Sequence, residues 1–253
     1  MYKILLKKQK IILIAVPSVI LFAALVFVVF GGSPKFHRQD NQLYVPVLMY
    51  HSVSDTPVGT PELSVTRKSF DDQMSYLASN GYTPINIDDI ADCSHYKKPI
   101  VITFDDGYVD NFACAYPILK KYNIKATIFM VTKYIGLGGF LSKDQIVKMG
   151  DMVSFQSHTV DHVRLDMYNL NQVDYECRES QKVLRGITGK PVYAISYPNG
   201  MFTAAILRIA AKYYDFAVTT LPGKDTRNSN KMQLRRIAVS RDATLSDFTR
   251  SLK

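Results

Sequence analysis

Short apolar runs rich in β-branched residues alternate along this chain with longer segments whose apolar residues return every three or four positions. Runs of the first kind are Tyr44–Val53, Pro99–Phe104, Lys125–Val131, Met152–Phe155, Val192–Ser196, Phe216–Thr220 and Leu234–Val239, with a shorter piece at Thr83–Ile87. Such runs predict strands covered on both faces, as in a parallel sheet. Segments of the second kind predict helices over Ser69–Asn80, Ala113–Tyr122, Ser142–Met149, Asn171–Arg185 and Thr203–Tyr213, and a last one from Thr244. Ser69 is expected to cap the first of these, whose apolar face is Phe70, Met74 and Leu77, and Gly81 to stop it. Strand and helix alternating in this way argue for a parallel sheet or a (β/α) barrel. In both, function gathers at the C-terminal ends of the strands.

The N-terminus follows another rule. Ile11–Phe30 holds no charge and matches the roughly 20 residues that span a bilayer. Lys3, Lys7, Lys8 and Lys10 precede it, so the tail is expected in the cytoplasm and the rest of the chain outside. The expected organisation is a cytoplasmic tail over 1–10, a single-pass transmembrane anchor over 11–30, a linker over 31–44 and one domain over 45–253. Cleavage near Gly31-Gly32-Ser33, giving a secreted protein, is the alternative. The formal net charge is +9 for 253 residues, but the tail lysines belong to the membrane topology, which leaves the exported part mildly basic. No basic stripe is interleaved with aromatics, which argues against a nucleic-acid partner. Cys93, Cys114 and Cys177 show no Cys-x-x-Cys spacing; they read as packing residues and not as a zinc ribbon.

Candidate chemistry sits at the strand ends. Asp105 and Asp106 close the run Pro99–Phe104 and are followed by Gly107 and Tyr108. Adjacent carboxylates raise each other's pKa and burial raises both, so a cation is the natural compensation; a solvated Asp-Asp-Gly turn is the alternative. His158 and His162 stand four residues apart, a separation at which a helical turn or tight loop aims two imidazoles at one ion. With Asp106 they offer three ligands and an open position, the pattern of a catalytic zinc whose water ionises near neutral pH. The alternative is a solvated helix face. His51 ends the first strand, where it reads either as hydrogen-bonded filler or as a catalyst.

Thr103-Phe104-Asp105-Asp106-Gly107-Tyr108, then Ser157-His158-Thr159-Val160-Asp161-His162, then Tyr197-Pro198-Asn199-Gly200 resemble the motifs of the NodB-homology polysaccharide deacetylases, carbohydrate esterase family 4. The likeness runs roughly from Val45 to Phe248. Together with the alternation it predicts an α/β fold, a distorted (β/α) barrel of about seven strands, preceded by the transmembrane helix. It implies that Asp105 is the general base, that Asp106, His158 and His162 bind a divalent metal, most often Zn2+, and that Tyr108, Tyr197, Pro198 and Asn199 contact substrate. Two features depart from the family pattern. Tyr193 stands where an arginine opens the third motif, so the arginine that orients the base is absent or comes from Arg235 or Arg236. The usual C-terminal Leu-x-His is missing. A circularly permuted branch, similar to the poly-N-acetylglucosamine deacetylases of biofilm systems, carries Pro-Val-Leu-Met-Tyr-His near its start, as Pro46–His51 do here. That likeness implies His51 as general acid.

The expected activity is metal-dependent N-deacetylation of an extracellular polysaccharide, either poly-N-acetylglucosamine or the N-acetylglucosamine of peptidoglycan. A membrane-tethered carbohydrate-binding protein without turnover and an O-acetyl esterase are the alternatives.

Overall fold

In the computed structural model, which describes residues 43–56 and 59–253, the apolar runs form strands in this order: β1 (Val47–Tyr50), β2 (Ser52–Val53), β3 (Ser64–Val65), β4 (Thr83–Pro84), β5 (Pro99–Phe104), β6 (Ala126–Met130), β7 (Val153–Ser157), β8 (Ala194–Ser196), β9 (Phe216–Pro222) and β10 (Leu234–Ala238). The helices are α1 (Arg67–Ser79), α2 (Tyr116–Tyr122), α3 (Lys143–Met149), α4 (Leu170–Thr188), α5 (Ala204–Ala210) and α6 (Leu245–Ser251). The tail, the anchor and the linker up to residue 42 lie outside the described residues. Among the described residues no helix is long and apolar enough to cross a membrane.

β1 closes the ring. It pairs in parallel with β10 through Leu48↔Ile237 and with β5 through Val47↔Val101 to Tyr50↔Phe104. The barrel therefore runs β1-β10-β9-β8-β7-β6-β5 and back to β1, seven parallel strands. β4 is an extra parallel strand on the start of β5, and β2 and β3 make a separate small pair. Closure leaves no free edge in the ring, which is how a parallel sheet without lateral partners satisfies its backbone.

Alternation along each strand sorts the side chains into two clusters. Leu48, Tyr50, Ile102, Phe104, Ile128 and Ile195 pack with the helices, against Phe70, Met74 and Leu77 of α1, Leu119 of α2, Ile146 of α3 and Val173 and Leu184 of α4. Val47, Val101, Phe129, Ala194, Val218 and Leu234 have the opposite parity and form the inner cluster, joined by Ile85, Ile87, Ile90 and Cys93. Thr103, Ser196 and Arg236 share this inner parity, and Asp105 continues it one residue beyond β5. The strand period thus delivers polar groups to the inside of the barrel near its C-terminal mouth.

Boundaries differ from expectation where a side chain competes with the backbone. α1 begins earlier than Ser69 because Thr66 is its cap, accepting the Ser69 N–H at 3.1 Å. The expected strand Thr83–Ile87 is reduced to two residues: its last bond to β5 is from the Ile85 N–H to the Ile100 carbonyl at 2.9 Å, and Ile85 and Ile87 go into the inner cluster. After β5 the chain makes a π turn over Asn111–Ala115 before α2 starts. The residues leading into that turn are anchored elsewhere: Asp110 accepts from the Ser52 hydroxyl at 2.6 Å and the Val53 N–H at 3.1 Å, and Asn111 Nδ2 donates to the His51 carbonyl at 2.8 Å. Cys93, Cys114 and Cys177 are free thiols.

Gly200 and Gly186 make a contrast in stability. Gly200 has φ +69°, and an added Cβ would lie 2.0 Å from Thr220 Oγ1 and 2.9 Å from its backbone N. Gly200→Ala is expected to cost about 2–4 kcal/mol from left-handed strain and overpacking together. Gly186, inside α4, has nothing within 4 Å of that point, and Gly186→Ala should stabilise by about 0.5–1 kcal/mol. Urea unfolding midpoints check both.

Candidate metal centre and active site

The paired carboxylates are separated by backbone geometry. Asp105 keeps the inner parity of β5, whereas Asp106 has φ +70° and Gly107 φ +78°, so the chain turns and the second carboxylate leaves in a new direction. Gly107 also allows a close approach, since a Cβ there would stand 2.5 Å from Met130 Sδ.

Asp105 is buried against the guanidinium of Arg236, whose Nη1 and Nη2 donate to its two oxygens at 2.8 and 2.6 Å. Arg236 is itself fully buried, and its other three N–H groups are also placed. Nε donates to the Thr219 carbonyl at 2.8 Å, Nη1 to the Thr103 hydroxyl at 3.1 Å and Nη2 to the Ser196 hydroxyl at 3.0 Å. All five donors of the fork are used. Ser196 in turn donates to Asp105 Oδ2 at 3.2 Å. Burial alone would raise the Asp105 carboxyl, but the charge and hydrogen bonds of Arg236 hold it well below the usual carboxylate range.

The histidine pair is aimed by a tight loop after β7. Thr159 and His162 take left-handed φ values of 68° and 56°. The loop closes on itself, with Thr159 N–H donating to the Ser157 hydroxyl at 3.2 Å and His162 N–H to the Thr159 hydroxyl at 3.1 Å. Glu176 of α4 accepts the Val160 and Asp161 N–H groups at 2.8 and 3.1 Å. The Nδ1 of His158 donates to the Ser196 carbonyl at 2.7 Å, which sets the tautomer and leaves Nε2 with a free lone pair. Burial lowers the His158 pKa against the pull of Asp105 and Asp106, so the ring is a neutral imidazole, the form that binds metal.

Asp106 Oδ1 lies 3.5 Å from His158 Nε2 and 3.3 Å from His162 Nε2, and the three ligand atoms fall within 4.8 Å of one another. Two ligand atoms of a tetrahedral zinc stand roughly 3.3 Å apart, as bonds of about 2.0–2.1 Å require. Asp106 Oδ1 is also buried with no hydrogen-bond partner. An orphaned carboxylate oxygen facing a bare imidazole nitrogen is what a missing cation would leave, so the donor set fits a divalent metal.

The remaining expected site residues divide. His51 follows β1 at the same rim as Asp105, which follows β5, the strand that pairs with β1. Tyr108 is half-buried beside Asp106 and stacks on Phe140 with ring centroids 5.3 Å apart; burial, then the Asp106 and Asp110 carboxylates, push its phenol up to about 12, so it remains a donor. Asn199 is exposed at φ 56°. The substrate contacts expected of the Tyr197 and Pro198 side chains are corrected. Ser196 faces inward, so Tyr197 must face outward, and it is fully buried with its ring stacked on Phe202; Pro198 is buried as well. Of the two arginine candidates, Arg235 is exposed on the opposite face of β10, its backbone N–H donating to Asp225. Tyr193, at the position of the family's third-motif arginine, is packed toward Ser154 and away from Asp105.

Sequence reasoning missed Ser196 and Glu176. Ser196 was legible in principle, as the inward residue of a strand next to a motif. Glu176 carried no signal, because one acid on an amphipathic helix is usually solvated.

YxkH of Bacillus subtilis (strain 168), a candidate polysaccharide deacetylase, is 37% identical over 211 residues, covering 81% of this chain and 74% of that protein. This chain belongs to the polysaccharide deacetylase family, carbohydrate esterase family 4. The family model described as polysaccharide deacetylase matches residues 94–215. His51 and Arg236 lie outside that span, before and after it in sequence, on the neighbouring strand ends of β1 and β10. The poly-β-1,6-N-acetyl-D-glucosamine N-deacetylase of Staphylococcus aureus (strain MRSA252) is 28% identical over 234 residues, covering 83% of this chain and 78% of its own. Among solved structures, the Streptococcus pyogenes deacetylase PplD in complex with acetate superposes with a TM-score of 0.79 at 28% identity, over 84% of this chain and 99% of PplD.

Removing the guanidinium of this polysaccharide deacetylase would strand a buried carboxylate. Arg236→Ala is expected to cost about 3–5 kcal/mol, whereas exposed Arg235→Ala should stay within about 0.5 kcal/mol. Denaturant unfolding of the two variants checks the difference.

Proposed function

We propose that this family member is a Zn2+-dependent N-deacetylase that removes acetyl groups from the N-acetylglucosamine units of poly-N-acetylglucosamine, outside the membrane to which residues 11–30 tether it. The observation that carries the reading is the division between the two carboxylates. Arg236 neutralises Asp105 and keeps it anionic, while Asp106 presents an unpartnered oxygen to two histidines. The choice of glycan rests on the likeness, over most of the chain, to a relative named for that activity, and the zinc on the donor set of two nitrogens and one oxygen.

When bound by Asp106, His158 and His162, a divalent cation supplies Lewis acidity, polarising an amide carbonyl and acidifying a water. The chain's own residues do the rest. Asp105 offers about four lone-pair directions; Arg236 takes one on each oxygen and Ser196 a second on Oδ2, which leaves one on Oδ1 to accept a proton as general base. Arg236 fixes the plane of that carboxylate. His51, across the mouth from the histidine loop, protonates the departing amine. The Tyr108 phenol and a backbone N–H near Asn199 hold the sugar and the developing oxyanion. Binding without turnover would suit a site whose base lacks an orienting arginine; Arg236 beside Asp105 favours turnover instead.

Acetate release from poly-N-acetylglucosamine tests the proposal. Activity should disappear on treatment with a chelator and return with Zn2+. Asp105→Asn should lower kcat by about 10²–10⁴-fold while Zn2+ still binds, and His51→Ala should lower kcat by a similar factor. His158→Ala should lose both activity and metal. Release from peptidoglycan alone would overturn the choice of glycan, and undiminished turnover by Asp105→Asn would overturn the role of the base.

A further inference from the structure

Glu176 lies in the second turn of α4 with only 2% of its surface exposed. Among the described residues it enters no ion pair; the nearby lysine, Lys133, pairs with Asp161 at 3.0 Å. A carboxylate removed from water needs strong donors, and Glu176 Oε2 takes the consecutive N–H groups of Val160 and Asp161 at 2.8 and 3.1 Å. These two residues form the middle of the loop whose ends are His158 and His162. The loop holds Thr159 and His162 in the left-handed region, which residues with side chains disfavour. The Thr159 hydroxyl and Glu176 hold this bend together with the turn at Thr132–Tyr134, whose Thr132 and Lys133 N–H groups donate to the Thr159 and Val160 carbonyls at 3.1 Å; Glu176 is the buried carboxylate among these ties and takes the two N–H groups in the middle of the loop. His162 Nε2 meets Asp106 at 3.3 Å only while the bend persists.

We infer that Glu176 is a positioning residue of the metal centre. It clamps the loop so that His162 converges with His158 and Asp106, and its buried negative charge adds to the attraction for a cation. The inference rests on the metal reading above and deepens it. A purely structural tie between loop and helix would affect folding and leave the affinity of the folded protein unchanged, and the experiment separates the two.

Zn2+ alone is titrated by calorimetry into the metal-free full chain, its Glu176→Gln variant and its Glu176→Ala variant. The visible absorption of bound Co2+ reports ligand geometry, and the thermal midpoint of each metal-free protein reports stability. Loss of the clamp is expected to weaken Zn2+ binding roughly a hundredfold in Glu176→Ala, and roughly tenfold in Glu176→Gln, which keeps an acceptor without the charge. The Co2+ spectrum should change in both. If Glu176→Ala does not fold, Glu176→Gln decides. A folded variant with a lowered thermal midpoint that binds Zn2+ within about threefold of wild type, with an unchanged Co2+ spectrum, would overturn the inference. Failure of the wild-type chain to bind Zn2+ would overturn the metal reading itself, and the inference with it.

Discussion

The fork between Arg236 and Asp105 is the interaction on which the mouth of this barrel depends. Through its five N–H groups the guanidinium reaches the Asp105 carboxylate, Thr103 on β5, Ser196 on β8 and the Thr219 carbonyl on β9, while its own backbone belongs to β10. Four of the seven strands thus meet at one buried cation. Such a pair is weak evidence for net stability, because desolvating two charges offsets most of their attraction. What it contributes is definition. Satisfying the fork requires particular registers among β5, β8, β9 and β10, and it holds a carboxylate ionised where burial alone would protonate it.

Backbone strain gathers around the same mouth. Asp106, Thr159, His162 and Asn199 all have positive φ, and each lies in one of the segments that carry the family motifs. Left-handed residues with side chains cost about 1–3 kcal/mol each and persist only where their surroundings over-determine them. Here the surroundings are visible: Gly107 follows Asp106 into the turn, the Thr159 hydroxyl and Glu176 hold the histidine loop, and Gly200 packs against Thr220 behind Asn199. Strain and ligand geometry have one cause, since a regular strand end would send Asp105 and Asp106 to opposite faces and keep both histidines off a common point.

The first and last strands of the ring meet at this mouth. His51 arrives on β1 and Arg236 on β10, and these strands are neighbours because β1 closes the ring between β10 and β5. Residues far apart in sequence thereby share the mouth with Asp105. A missing arginine in the third motif and a missing C-terminal histidine therefore say little about the chemistry, because a closed parallel barrel brings any strand end to the same rim.

Alternation of apolar runs with amphipathic segments determined the fold class, since period and length alone separate a strand buried on both faces from a helix with one apolar stripe. Asp106, His158 and His162 were legible as a candidate metal set because the spacing of the histidines and the adjacency of the acids are local properties. Only the tertiary structure decided between Arg235 and Arg236, placed Tyr197 in the helix layer instead of at the mouth, and revealed Ser196 and Glu176. Each of those outcomes turns on which face of an element meets which neighbour. A one-residue change of parity reverses a strand side chain from core to mouth, and a lone acid on a helix reads as solvated until another loop is seen to lie across it.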